Sequence, residues 1–250
     1  MEQRPLIKVL IVDDHGLIRT ALRRLLEDAK GIKVIGEAKS GEDAISLARK
    51  DAPNVVLMDV KMPGIGGLEA TRKLLRIDPG MRILIVTACD TEPFPSRLLQ
   101  AGAAGYITKG SEPGEMEAAI RAVYAGKRYL SPEIAQALAL RHLTEDDASP
   151  VDVLSERELQ VMLMIANGQR VADIAKSLVL SPKTINSYRY RLFEKLGVET
   201  DVELTHVAIR YNLLDAPAMD ASEKDKETST KSETFAPKAS KAKKKTPGND

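Results

Sequence analysis

The 250-residue sequence contains a single cysteine, Cys89, so no disulfide can form within one chain, and the composition fits a reducing compartment. Net charge is nearly absent. Basic residues number 37 against 36 acidic ones, a balance of +1, so no global field drives the chain onto nucleic acid or membrane. No apolar run approaches the ~20 residues that a membrane helix needs. Residues 1–5 lead directly into a strand-like run without a signal-peptide pattern, and the expectation is a soluble cytoplasmic chain. A phosphate loop ending in Gly-Lys-Ser/Thr is missing, and Gly64-Ile65-Gly66-Gly67 falls short of the dinucleotide fingerprint, which argues against nucleotide binding. No internal repeat is visible. What is present is 43% hydrophobic residues, enough to bury a core.

The first 130 residues alternate β-branched apolar runs with helical patterns. Strands are predicted over 7–12, 32–38, 54–58, 82–87 and 105–107, with helices over 17–26, 41–50, 67–77, 96–101 and 113–125. Five strands alternating with five helices predict an α/β fold. Its expected form is a doubly wound, flavodoxin-like five-stranded parallel sheet buried on both faces. Residues 131–150 form a weaker segment with one possible helix over 134–143 and a polar stretch after it, and are assigned as a linker. Residues 151–214 carry only helical patterns, over 156–166, 171–178, 182–196 and 202–211. Beyond Leu214 the composition collapses into Lys, Glu, Ser, Thr, Ala and Pro, and residues 215–250 are expected to form a disordered, Lys-rich, solubilising tail.

Ligands of a doubly wound sheet bind beyond the carboxyl ends of its strands. Here the first strand ends in Asp13-Asp14, the third in Asp59 and the fourth in Thr87, while Lys109 follows the fifth. Each alone reads as a cap, a packing residue or a solvated side chain. Jointly they place three carboxylates and an ammonium at one rim. Carboxylates so crowded repel one another and invite a hard divalent cation, and Mg2+ suits that role. With the cation and the lysine neutralising phosphoryl oxygens, one carboxylate can attack phosphorus. Asp59, alone on the central strand, is the expected nucleophile. An aspartyl-phosphate phosphatase would use the same carboxylates but needs a general acid–base near Asp59. Lys61 serves poorly there, so the expectation is a phosphoacceptor with at most self-phosphorylation and self-dephosphorylation chemistry, not an enzyme.

Val12-Asp13-Asp14-His15, Met58-Asp59-Val60-Lys61-Met62-Pro63-Gly64, Val86-Thr87-Ala88 and Ala103-Ala104-Gly105-Tyr106-Ile107-Thr108-Lys109 resemble the receiver domain of two-component response regulators. The resemblance implies that Asp59 accepts a phosphoryl group from a sensor-kinase histidine. It also implies Mg2+ held by Asp13, Asp14, Asp59 and the backbone carbonyl of Lys61. Lys109 would pair with phosphoryl oxygens, Thr87 would swing in to hydrogen-bond one, and Tyr106 would change rotamer as the switch. One departure is Gly110 after Lys109, where many receivers carry proline.

In the helical segment, Ser181-Pro182 is a helix start: a capping hydroxyl, then proline at the first helical position. Two short helices joined by a turn at Val179-Leu180-Ser181 fit a helix-turn-helix, whose second helix enters the major groove, though such a pair also serves protein contacts. Residues 151–214 balance eight basic against eight acidic residues, yet 181–195 carry four basic residues (Lys183, Arg189, Arg191, Lys195) against Glu194 alone. Lys183, Thr184, Asn186 and Ser187 are types that reach bases or phosphates. Leu154-Ser155-Glu156-Arg157-Glu158, Asp173-Ile174-Ala175, Leu180-Ser181-Pro182-Lys183-Thr184-Ile185 and Lys195-Leu196-Gly197-Val198 resemble the four-helix LuxR/NarL-type DNA-binding domain. Tyr188 stands where many relatives have histidine, and Asp201 where arginine is frequent.

Residues 7–214 are further similar to the GacA/UvrY group of global regulators in gammaproteobacteria, through 91–95, 98–106, 186–191 and 201–206. That similarity implies a GacS/BarA-like hybrid sensor histidine kinase as partner, a homodimer when phosphorylated, and promoters of small regulatory RNAs as the double-stranded DNA target.

Overall fold

Alternation within the apolar runs sorts their side chains onto two faces of one sheet. The computed structural model describes residues 6–88, 93–143 and 149–214. Its strands are β1 (Ile7–Val12), β2 (Ile32–Ala38), β3 (Val55–Met58), β4 (Arg82–Thr87), β5 (Gly105–Thr108) and β6 (Tyr129–Leu130), paired parallel in the order β2-β1-β3-β4-β5-β6. The sequence predicts five strands and the described residues form six. Two-residue β6 is too short to show periodicity, and it joins the edge through Tyr129 N–H donating to Ala104 O at 3.1 Å.

Val9, Ile11, Val55 and Leu57 point into one core, while Leu10, Val12, Val56 and Met58 point into the other. The first core is closed by α1 (Gly16–Glu27) and α5 (Pro113–Tyr124) through Leu26, Met116, Ile120 and Val123. The second is closed by α2 (Gly41–Asp51), α3 (Gly66–Ile77) and α4 (Phe94–Gln100) through Ala44, Ala48, Leu68, Leu74, Phe94 and Leu98. Each of these leucine, isoleucine, valine, methionine and phenylalanine side chains contributes about 1.5–3 kcal/mol on leaving water, and the two alanines less. All of β3 and all of β4 beyond Arg82 are buried, which explains their near-continuous apolar character.

Residues 131–150, assigned from sequence as a linker, contain α6 (Pro132–Leu143), which sets Ile134 in the second core. Four further helices follow: α7 (Glu156–Ala166), α8 (Val171–Leu178), α9 (Pro182–Leu196) and α10 (Asp201–Arg210). Three begin on capping hydroxyls. Ser155 and Glu158 form a reciprocal capping box on α7, Ser181 caps α9, and Thr200 caps α10. Cys89, the polar stretch at 144–148, residues 1–5 and the tail at 215–250 lie outside the described residues.

The second core continues without a break from the sheet into the helical segment, taking in Leu159, Met162, Ile174, Ile185, Leu192 and Leu204. A polar seam runs beside it. Buried Arg97 on α4 donates to the carbonyls of Val151 and Leu154 at 3.1 and 2.7 Å. Arg72 on α3 pairs with Glu156 at 2.7 Å, and Arg157 on α7 reaches the buried Glu69 at 3.2 Å.

Candidate functional site

Parallel pairing brings the ends of β1 and β3 side by side, with Val12 against Met58 in register, so the residues following them face one rim. Asp59 is anchored by its N–H donating to Val12 O at 2.8 Å, and Asp13 by its N–H donating to Ala38 O at 3.1 Å. Lys109 N–H donates to Thr87 O at 2.9 Å, which aims the lysine from the end of β5 across the sheet. Its Nζ reaches Asp13 Oδ2 at 2.7 Å and Asp59 Oδ2 at 2.8 Å, so one ammonium bridges two buried carboxylates.

The electrostatics follow from that sandwich. Burial pushes the Asp59 carboxyl above its ordinary range, and the nearby Asp13 charge adds to the rise. The Lys109 ammonium and the Thr87 hydroxyl, both hydrogen-bonded to Asp59, act against it. Burial alone would lower the Lys109 pKa. Its hydrogen bonds and charge pairing with Asp13 and Asp59 outweigh that, and the ammonium is held above its usual value.

Asp13, Asp14, His15 and Asp59 each offer a ligand atom, and these atoms lie within 4.8 Å of one another. Asp14 Oδ1 is buried and accepts no hydrogen bond, although His15 Nδ1 stands 2.8 Å away as an ion-pair partner when protonated. A crowded carboxylate set with an unsatisfied oxygen fits a hard divalent cation. Lys61, two residues beyond Asp59, is half-buried in the loop leading to α3. Tyr106 is fully buried on β5, in the same core as Phe94 and Leu98.

The loop after Asp59 is tied on every side. A side chain at Gly67 would place its Cβ 2.1 Å from the Asp59 carbonyl oxygen, so only glycine lets α3 start against the Asp59 backbone. Glu42 accepts the Ile65 N–H at 3.1 Å. From the helical segment, Gln160 Nε2 donates to Ile65 O at 2.6 Å and Gln169 Nε2 to Gly64 O at 2.9 Å. Sequence reasoning missed both glutamines. The one available signal is a polar residue inside the apolar run Leu159-Gln160-Val161-Met162.

The seven residues expected to touch DNA separate into two groups on α9. Lys183, Ser187 and Arg191 are exposed along one stripe with Tyr190, which sequence reasoning passed over and which is 68% exposed; Thr184 and Asn186 are half-buried at its flanks. Arg189 and Lys195 are engaged inside the helical segment. Arg189 makes a bidentate pair with Asp201 at 2.6 and 2.8 Å, and Lys195 pairs with Glu158 at 2.7 Å.

Residues 9–121 match the model of the response regulator receiver domain, and residues 152–208 match that of the bacterial regulatory proteins of the luxR family. The chain is 58% identical over 212 residues to the response regulator GacA of Pseudomonas aeruginosa, covering 84% of this chain and 99% of that one. It is 55% identical over 215 residues to the response regulator UvrY of Escherichia coli strain K12, covering 86% and 99%. Among solved structures, RcsB from Salmonella enterica serovar Typhimurium, bound to promoter rprA with the phosphomimetic BeF3−, matches with a TM-score of 0.61 and 27% identity over 80% of this chain and 98% of that one. No helix among the described residues is long and apolar enough to cross a membrane.

Proposed function

Because the chain belongs to the response-regulator family, with a receiver domain and a LuxR-type DNA-binding domain that regulates transcription, we propose that a phosphoryl group on Asp59 is its switch. The observation that carries this reading is the Lys109 ammonium shared between Asp13 and Asp59 at the sheet rim. An Asp59 oxygen attacks the phosphorus of a phosphohistidine on a sensor kinase, forming a P–O bond as the P–N bond breaks and the imidazole leaves. Lys109 then exchanges a carboxylate partner for a phosphoryl oxygen, and the Thr87 hydroxyl follows the same charge. Mg2+ held by Asp13, Asp14, Asp59 and the Lys61 carbonyl would supply the remaining neutralisation of phosphoryl charge. Water attack on the acyl phosphate gives self-dephosphorylation, and a small-molecule phosphoryl donor gives self-phosphorylation.

Residues 1–130 thus act as the input unit and 151–214 as the output unit, with 131–150 between them. Gln160 and Gln169 tie the output helices to the loop that follows Asp59, so a change at the acceptor bears directly on the seam. Rearrangement through Thr87 and Tyr106 loosens the seam and frees the helical unit to pair. A homodimer sets two copies of α9 about 34–36 Å apart in successive major grooves. Lys183, Thr184, Asn186, Ser187 and Arg191 meet the duplex. Likeness to GacA and UvrY supports a cytoplasmic regulator served by a GacS/BarA-like hybrid kinase and acting at small regulatory RNA promoters.

Labelling with acetyl phosphate and Mg2+ tests the acceptor. The parent chain becomes phosphorylated and Asp59→Ala does not; sustained labelling of that variant defeats the assignment.

A further inference from the structure

Within the helical unit, charge is not spread evenly around α9. Lys183, Ser187, Tyr190 and Arg191 recur at helical spacing on the exposed face, while Ile185 and Leu192 are buried on the opposite one. Arg189 falls between the two faces, beside the N-terminus of α10. There its guanidinium meets both carboxylate oxygens of Asp201, Nε at 2.6 Å and NH2 at 2.8 Å, and lies over the Phe193 ring with its central carbon 5.1 Å from the ring centre. Asp201 is the first residue of α10 and so is favoured by the helix dipole. The pair lines an open cleft with Arg170, at the start of α8, and Thr205.

Pairing bidentately with Asp201 engages Nε and one NH2 hydrogen of the five guanidinium donors, and together with the stacking on Phe193 it fixes the orientation of Arg189. Swinging the guanidinium out to the exposed stripe would break both contacts, and a DNA phosphate brought instead to its remaining donors would meet Asp201 beside it as a like charge. We propose that Asp201 withholds Arg189 from DNA. Arg189 becomes a positioning residue that fastens α9 to α10, and one phosphate contact that the basic count of α9 suggests is never made. Sequence-independent affinity is held down by that contact, which leaves discrimination to the exposed stripe.

The inference rests on DNA binding by the helical unit, and its test separates the two. The full chain is titrated with a 30-base-pair duplex of arbitrary sequence across a salt series. Each phosphate contact contributes about 0.9 to the slope of log K against log salt, or about eightfold in affinity near 0.1 M salt. Asp201→Asn releases Arg189 and steepens the slope by about that amount, with the matching gain in affinity. Arg189→Gln in the otherwise unaltered chain leaves the slope at the parent value, whereas Lys183→Gln makes it shallower by about 0.9. In the double variant Asp201→Asn with Arg189→Gln, the gain disappears. A gain that survives in the double variant would come from lost repulsion at Asp201 alone and overturns the proposal, as does a shallower slope in Arg189→Gln or an unchanged one in Asp201→Asn. A parent chain with no salt slope would refute DNA binding itself, and the proposal with it. Melting curves confirm that each variant folds, and the slope is a readout that a purely structural loss does not move.

Discussion

Gln160 and Ile65, 95 residues apart in sequence, are joined by a buried 2.6 Å hydrogen bond in which the Gln160 side-chain amide donates to the Ile65 carbonyl. This bond links α7 to the loop that follows Asp59. Replacing Gln160 by leucine keeps most of the volume but leaves that carbonyl without its donor, at a cost of about 1–3 kcal/mol. The expected outcome is faster backbone hydrogen exchange over residues 62–67. Duplex affinity should rise about tenfold without any phosphoryl donor, since about 1.4 kcal/mol of the seam is gone. Unchanged exchange in that loop would remove the bond from any role in coupling.

Lys109→Ala strips the ammonium from between two buried carboxylates, and the loss for breaking such a pair is about 3 kcal/mol near neutral pH. Lys109 is held above 10.5 in the folded chain, so its contribution is complete below that pH and is lost as pH rises through the higher folded value. Asp59 is raised above 3.8, so as pH falls its acid form is reached before that of an ordinary aspartate and less charge is left uncompensated in the variant. Urea melts at successive pH values should therefore show a gap between parent and variant that is widest near neutrality and narrows at both ends.

Asp14 tests the cation. In EDTA, Asp14→Ala should melt no lower than the parent, because a repelling carboxylate with an unsatisfied oxygen has been removed. Added Mg2+ should raise the parent's melting temperature through mass action, about 2.7 kcal/mol at a hundred times its dissociation constant, and raise the variant's far less. An equal Mg2+ response in both would take Asp14 out of the ligand set.

Glu158 gives an acid-side prediction in the helical segment. Its burial opposes ionisation, but the Lys195 ammonium and the Ser155 backbone and hydroxyl outweigh that and hold its pKa below 4.5. The resulting stability is present above 4.5 and is lost as pH falls through the lower folded value. Glu158→Gln should cost about 1 kcal/mol at pH 7, discounted because Lys195 is partly solvated, and the difference should be smaller at pH 3. Thermal melts at the two pH values check it.

Strand ends were legible because alternation and burial in a parallel sheet leave a local signature, and Asp13, Asp14, Asp59 and Lys109 interrupt it where the strands stop. The capping hydroxyl of α9 was equally local. Two-residue β6 was not, since a period cannot show in two positions. The seam was hidden for another reason: Gln160 and Gln169 find their acceptors 95 and 105 residues away, and no composition or spacing marks a partner at that range. Arg189 shows the limit of counting charge. Four basic residues between 181 and 195 describe a basic helix, yet two of them are spent on the unit's own acids, Asp201 and Glu158.

Lys183, Ser187, Tyr190 and Arg191 stand open to water even while the seam is intact. Under the proposed function, restraint in the resting chain is then a matter of valency rather than of occlusion. One closed chain can graze a groove with its reading helix, but it gains no avidity until a second copy is tethered at the right pitch. The signal at the sheet rim then acts by licensing partnership, and a forced dimer of the helical segments should bypass it.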